Sequence, residues 1–325
     1  MKKIVKILAV LLGIAVIVIG GGLIYVSVFL PNAGPPPDIQ VERSEANIER
    51  GDYLANHVMV CIDCHSLRDW DLFAGPPIPG THGAGGEYFG REFGFPGEFI
   101  SPNITPYGIG DWSDGELFRV ITTGVTRDNK AIFPIMPYLD YGKLDEADIH
   151  AVIAFVRMLP PIEASYQERE LDFPVNFIVN TIPKKASLSV RPDPENLVEY
   201  GKYMFTAAAC TDCHTNAVGG KIVGEYLAGG FEFPMPDGNL VRSVNITPHP
   251  TGIGMWNKEF FINRFQMHVD SLYIVPRVGP GEFQTVMPWI MYGGMTRTDL
   301  GAMYEYLKTV PPVDNFVERI TFAGN

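Results

Sequence analysis

The four cysteines of this 325-residue chain fall in two frames of the same pattern, Cys61-Ile62-Asp63-Cys64-His65 and Cys210-Thr211-Asp212-Cys213-His214. Thiols three residues apart lie on one side of a helical turn, and the histidine that follows stands beside them. That spacing is the one used to attach haem c: two thioether bonds hold one porphyrin, and the imidazole takes the iron. A zinc half-site or a redox dithiol also uses CxxC. Neither explains a histidine directly after both pairs in a chain with seven histidines. The frames point to two covalently attached haem c groups, one on Cys61, Cys64 and His65, the other on Cys210, Cys213 and His214. No cysteine is left over for a disulfide or a thiolate ligand.

The frames belong to a longer repeat. Asn103-Ile104-Thr105-Pro106 recurs as Asn245-Ile246-Thr247-Pro248, and Gly108-Ile109-Gly110-Asp111-Trp112 as Gly252-Ile253-Gly254-Met255-Trp256. Met136-Pro137-Tyr138 matches Met287-Pro288-Trp289, Tyr141-Gly142 matches Tyr292-Gly293, and Pro160-Pro161 matches Pro311-Pro312. Each copy closes on an apolar stripe at helical spacing, Ile149, Val152, Ile153 and Val156 in one and Leu300, Met303, Tyr304 and Leu307 in the other. Asp145 and Thr296 read as the N-caps of these helices, with Asp148 and Asp299 placed for a capping box. Shorter helices are expected before each haem motif, at 48–60 and 195–209. Nothing alternates at period two for long enough to demand a sheet, so the expected fold class is all-α.

A second axial ligand decides what a haem can do. Met136 follows His65 by 71 residues and Met287 follows His214 by 73, both before a proline and an aromatic residue. The proline fixes a loop that presents a soft thioether, so Met136 and Met287 are the expected sixth ligands. Met291 and Met295 are rivals without counterparts in the first copy. Trp112 and Trp256 are candidates for a haem edge or a propionate, with ordinary core packing as the competing reading. Asn103 and Asn245 are expected to bond their own backbone in a turn.

Ile7–Leu30 is a run of 24 residues without charge. At about 1.5 Å per residue it is long enough to cross a hydrocarbon core of about 30 Å. Lys2, Lys3 and Lys6 precede it and no Lys or Arg follows until Arg43, which sets the amino terminus in the cytoplasm. A cleavable signal peptide is the rival reading, but the run is long for one and Phe29-Leu30-Pro31 is a poor cleavage context. The net charge of −12 excludes a non-specific nucleic-acid binder, and without the three leading lysines it becomes −15. Such a body suits a basic partner surface.

Together the motifs CxxCH, NITP, GIGxW and MP-aromatic, twice in order, resemble the cytochrome c subunit family of bacterial membrane-bound alcohol and gluconate dehydrogenases. The resemblance covers 48–162 and 195–313. It implies class I cytochrome c domains and passage of electrons from a periplasmic donor toward the respiratory chain. The family carries three such domains and this chain two. The expected plan is a cytoplasmic tip at 1–6, a transmembrane helix at 7–30 and a proline-rich tether at 31–44. Haem domains follow at 45–162 and 193–325, joined by a linker at 163–192. The expected function is single-electron transfer by a dihaem cytochrome c anchored in a bacterial inner membrane, with its haem domains periplasmic. Its partners would be the membrane and a respiratory or dehydrogenase complex, and it would not itself be an enzyme. A two-haem peroxidase or a haem-based sensor, each with one open iron site, is the alternative.

Overall fold

The computed structural model describes residues 2–279 and 281–323. Helix α1 (Lys2–Val28) has no buried residue and is long and apolar enough to cross a bilayer. Helix α2 (Glu45–Tyr53) starts at Ser44, whose hydroxyl accepts from Asn47 N–H, and continues into one π-helical turn before the short helix α3 (Cys61–Cys64). A long glycine-rich loop carries strands β1 (Tyr88–Phe89) and β2 (Gly97–Ile100). Helices α4 (Pro106–Ile109), α5 (Asp114–Thr123), α6 (Tyr138–Tyr141) and α7 (Glu146–Met158) complete the first half. The connection then holds strand β3 (Glu170–Leu171) and helix α8 (Val175–Ile178).

The second half runs through helices α9 (Leu197–Ala207) and α10 (Cys210–His214), then strands β4 (Ala217–Val218), β5 (Lys221–Ile222), β6 (Glu232–Pro234) and β7 (Leu240–Arg242). Helices α11 (Lys258–Gln266), α12 (Trp289–Gly293) and α13 (Arg297–Thr309) follow, and strand β8 (Ile320–Thr321) is last.

The all-α expectation is therefore corrected: this is a mixed fold with three small antiparallel sheets, β1-β2-β3, β4-β5 and β6-β7-β8. Their strands are two to four residues long, too short for a period-two pattern to register. Two of the sheets are also closed from far away in sequence. β3 pairs with β2 as Gly97↔Leu171, and β8 pairs with β7 as Leu240↔Thr321. The segment leaving each closing helix thus returns to cover the loop behind its haem motif.

In each half the helix before the haem motif crosses the closing helix at a glycine. A side chain on Gly51 would overlap the carbonyl of Ala151, and one on Gly201 would overlap that of Ala302. The helix stripes expected from sequence are buried here: Ile149 and Ile153 are fully enclosed, as are Leu300 and Leu307. Asp145 and Thr296 do cap α7 and α13. The expected capping boxes do not close. Asp148 turns instead to Arg50, Arg191 and Tyr203, and Asp299 to Tyr53 and Tyr200. Aspartate is one methylene shorter than the glutamate that usually reaches back to the cap. A tyrosine hydroxyl from the other half takes each N-cap N–H in its place, Tyr203 from Asp145 and Tyr53 from Thr296.

Candidate functional site

The two CxxCH turns are built alike. Each opens on a residue in the left-handed region, Val60 (φ 47°) and Ala209 (φ 49°). For a β-branched valine this conformation is an outlier that its surroundings must hold. The brace is a buried tyrosine. Tyr141 donates to the carbonyl of Met59 at 2.9 Å and Tyr292 to that of Ala208 at 2.8 Å, each one residue before the strained position. These are the tyrosines of the repeated Tyr-Gly pair. Sequence reasoning noted the pair but gave it no role; its recurrence in both copies was the available signal.

Orientation of the histidines follows from one hydrogen bond apiece. His65 Nδ1 lies 2.8 Å from the carbonyl of Pro102, and His214 Nδ1 lies 2.8 Å from that of Val244. A carbonyl only accepts, so Nδ1 carries the proton and Nε2 keeps its lone pair for a metal. Burial lowers both imidazole pKa values, against the pull of that hydrogen bond. Both rings are therefore neutral at pH 7, the form that ligates.

The orienting carbonyls belong to the residues just before the two NITP motifs, and the asparagines lock them in place. Asn103 Oδ1 accepts from the Thr105 N–H and hydroxyl at 2.9 and 2.7 Å, the local turn expected from sequence. Its Nδ2 also reaches out to the carbonyls of Ile162 and Ala164 at 2.8 and 3.1 Å. Asn245 repeats this with Thr247, and with the carbonyls of Val313 and Asn315. Each asparagine so ties the histidine's loop to the segment leaving the closing helix.

Met136 and Met287 sit at equivalent tight turns. Tyr138 N–H donates to the Met136 carbonyl and Trp289 N–H to the Met287 carbonyl, both at 2.8 Å. The prolines between them have φ and ψ near −80° and +52°, and −79° and +62°, which are inverse γ-turns. Both methionines are half-buried against the apolar core, whereas the rivals Met291 and Met295 are buried within it. Trp112 and Trp256 are half-buried against the same core. The Trp112 carbonyl accepts from Arg157, and the Trp256 carbonyl accepts from Tyr304 at 2.8 Å. The Trp256 ring stands edge-on to Phe260 at 4.9 Å.

These residues fit a haem c. Each half offers two thiols on one turn, a neutral imidazole with a free Nε2, and a methionine on a stiff turn. The aspartates inside the two frames differ in environment. Asp63 is buried and ion-paired to Arg68 at 3.3 Å, while Asp212 is exposed.

The family model described as cytochrome c matches residues 198–311. The chain is 25% identical over 297 residues to the cytochrome c subunit of a quinone alcohol dehydrogenase from Gluconobacter oxydans, a match covering 84% of this chain and 56% of that one. It is 29% identical over 199 residues to a dihaem c-type cytochrome from Cereibacter sphaeroides, covering 58% of this chain and 63% of the other. A fructose dehydrogenase cytochrome subunit from Gluconobacter japonicus is 25% identical over 296 residues, covering 86% and 56%. The chain spans a little over half the length of the dehydrogenase subunits it matches. These similarities show a chain that carries a cytochrome c domain and is homologous to the cytochrome c subunits of quinone alcohol dehydrogenases and to dihaem c-type cytochromes.

Proposed function

We propose that this chain is a dihaem electron carrier tethered to a bacterial inner membrane by α1, with its body on the periplasmic side. Residues 45–162 and 193–325 each hold one haem c. Cys61 and Cys64 attach the first, with His65 and Met136 as axial ligands; Cys210 and Cys213 attach the second, with His214 and Met287. The observation that carries this reading is the matched pair of histidine–carbonyl bonds at 2.8 Å, each leaving Nε2 free, together with a methionine γ-turn in both halves.

Haem c supplies reversible one-electron chemistry at iron, with a potential raised by histidine and methionine ligation. The protein's part is to hold that geometry still. Tyr141 and Tyr292 brace the attachment turns, Asn103 and Asn245 fix the carbonyls that aim the imidazoles, and Pro137 and Pro288 stiffen the methionine turns. Trp112 and Trp256 would shield the haem edges. A histidine and a methionine that would both hold the iron in each half would leave no open site for a substrate, which favours a carrier over a peroxidase. The relatives' roles as dehydrogenase subunits favour a membrane dehydrogenase as donor, and an oxidase or another cytochrome as acceptor.

Haem quantification should give two per chain, and the oxidised protein should be wholly low-spin. Met136→Ala and Met287→Ala should each convert one haem to high-spin and lower its potential. A high-spin population in the unaltered protein would point instead to an open site.

A further inference from the structure

An open cavity of about 800 Å³ lies where α1 ends. One wall is the chain from Ser27 to Asn32; Arg119, Arg127, Lys130 and Arg169 also line it, with Asp128 as the single lining carboxylate among the described residues. In a chain of net charge −12 this is a local reversal of sign. Two of the cations are already engaged, Arg127 with Asp111 at 2.6 Å and Lys130 with Glu168 at 3.4 Å. Arg119 and Arg169 have no carboxylate ion-pair partner among the described residues. Arg119 is 5% exposed, and its Nη1 donates to Asn129 Oδ1 at 3.0 Å while its Nη2 donates to the Thr126 carbonyl. Among the described residues its Nε is buried without a partner, and so is Nη1 of Arg169. Burial lowers both guanidinium pKa values, against the opposing charges of Glu116 at Arg119 and of Tyr138 and Glu168 at Arg169.

Leaving two guanidinium groups partly desolvated and short of acceptors is costly unless an anion completes them. The fold does not require a cation there: matching Trp112 to Trp256 puts Asn263 of α11 at the place of Arg119. We propose that this cavity takes a phosphate group, and that the headgroup of an anionic phospholipid supplies it. Guanidinium forks match phosphate oxygens in pairs. Free phosphate shares that chemistry, but the lipid is favoured by position. Phe29 and Leu30, on the cavity wall, continue the apolar run of α1. A helix crossing the bilayer would set this cavity at headgroup level. The proposal therefore rests on the reading of α1 as a membrane anchor.

The test uses the full-length, haem-loaded protein in nanodiscs of phosphatidylcholine with phosphatidylglycerol, read by native mass spectrometry for retained lipid. Phosphatidylglycerol should be kept in preference to phosphatidylcholine, and Arg119→Gln and Arg169→Gln should each weaken retention by about tenfold, or 1.4 kcal/mol. Arg119→Lys should keep part of it. The variants' haem spectra, unchanged from the parent, would exclude misfolding. Equal retention by parent and both Gln variants, or no preference between lipids, would overturn the proposal. So would calorimetric binding of inorganic phosphate to protein in pure phosphatidylcholine discs together with no retained phosphatidylglycerol, since the source would then be the free ion. A carbonate wash of cell membranes tests the anchor separately: release of the parent protein overturns that reading whatever the lipid result.

Discussion

Tyr203 donates to Asp148 Oδ2 at 2.7 Å across the line between the two halves, and its oxygen accepts the Asp145 N–H at 3.1 Å. Tyr53 does the same in the opposite direction, donating to Asp299 and accepting the Thr296 N–H at 3.1 Å. Each half therefore completes the N-terminus of the other's closing helix. Because these helices also cross the helices leading into the haem motifs, the exchange fixes the two attachment turns relative to each other. Tyr203→Phe would strip one buried donor from Asp148 and the acceptor from a cap N–H, at a cost of about 1–3 kcal/mol. Chemical denaturation of holoprotein should show that loss for Tyr203→Phe and for Tyr53→Phe. A loss below a few tenths of a kcal/mol in both would mean that water replaces the contacts and the halves are not locked this way.

The pairing also has a pH limit. Burial works against the Asp148 carboxylate, but the hydrogen bond and charge of Arg50, the Tyr203 hydroxyl and the charge of Arg191 overcome it and hold its pKa below the usual 3.8. A carboxylate depressed in the folded state contributes stability that is present above its unfolded pKa and is lost as pH falls through the folded one. Thermal unfolding midpoints should thus fall as pH is lowered below about 4, and Asp148→Asn should flatten that part of the profile. An unchanged acid slope in the variant would assign the loss to other groups.

Gly51 and Gly201 make the sharpest steric prediction. A methyl at either position meets a backbone carbonyl of the crossing helix, which cannot rotate away as a side chain can. Gly51→Ala and Gly201→Ala should each destabilise by about 1–3 kcal/mol or more, despite alanine's better helix propensity. Thermal melts that rise in either variant would mean the helices can slide apart without loss.

Much of the site was legible in the sequence because its parts are short motifs that recur. The cysteine frames, the histidines and the Met-Pro turns are each defined by neighbours in the chain. The N-caps Asp145 and Thr296 were readable for the same reason. What escaped was whatever depends on contact between distant residues. The strands escaped because they are only two to four residues long, and β3 and β8 also borrow their partners from segments some 70–80 residues away. The capping boxes failed because Tyr53 and Tyr203 arrive from the other half, and nothing in the local pattern announces them. The Tyr-Gly pairs show the middle case: their repetition is visible, but the strain at Val60 and Ala209 that they brace appears only in three dimensions.

The amide of Gln284 ties the second methionine turn to the first half. Gln284, buried, donates from Nε2 to the carbonyls of Trp70 and Leu72 at 2.9 Å each. Its Oε1 accepts from the Ala74 and Thr285 N–H groups at 2.8 and 2.9 Å, so its capacity is nearly filled. Thr285 in turn accepts the Met287 N–H on its hydroxyl at 3.1 Å. The loop at 70–74 of one half thus holds the turn that presents Met287 in the other, an arrangement with no counterpart at Met136 among the described residues. Gln284→Ala leaves buried polar groups unpaired and frees that turn, at about 1–3 kcal/mol. On the proposed dihaem reading the expected signature is selective: a partial high-spin population at the haem of Cys210 and Cys213, with the haem of Cys61 and Cys64 still low-spin. Magnetic circular dichroism of Gln284→Ala, alone and in a Met287→Ala protein for the first haem and a Met136→Ala protein for the second, would separate the two sites, because in each double variant the remaining low-spin signal belongs to one haem. If the second haem stays fully low-spin in the Met136→Ala background, the turn is held by its own residues and the contact between halves plays no part in ligation.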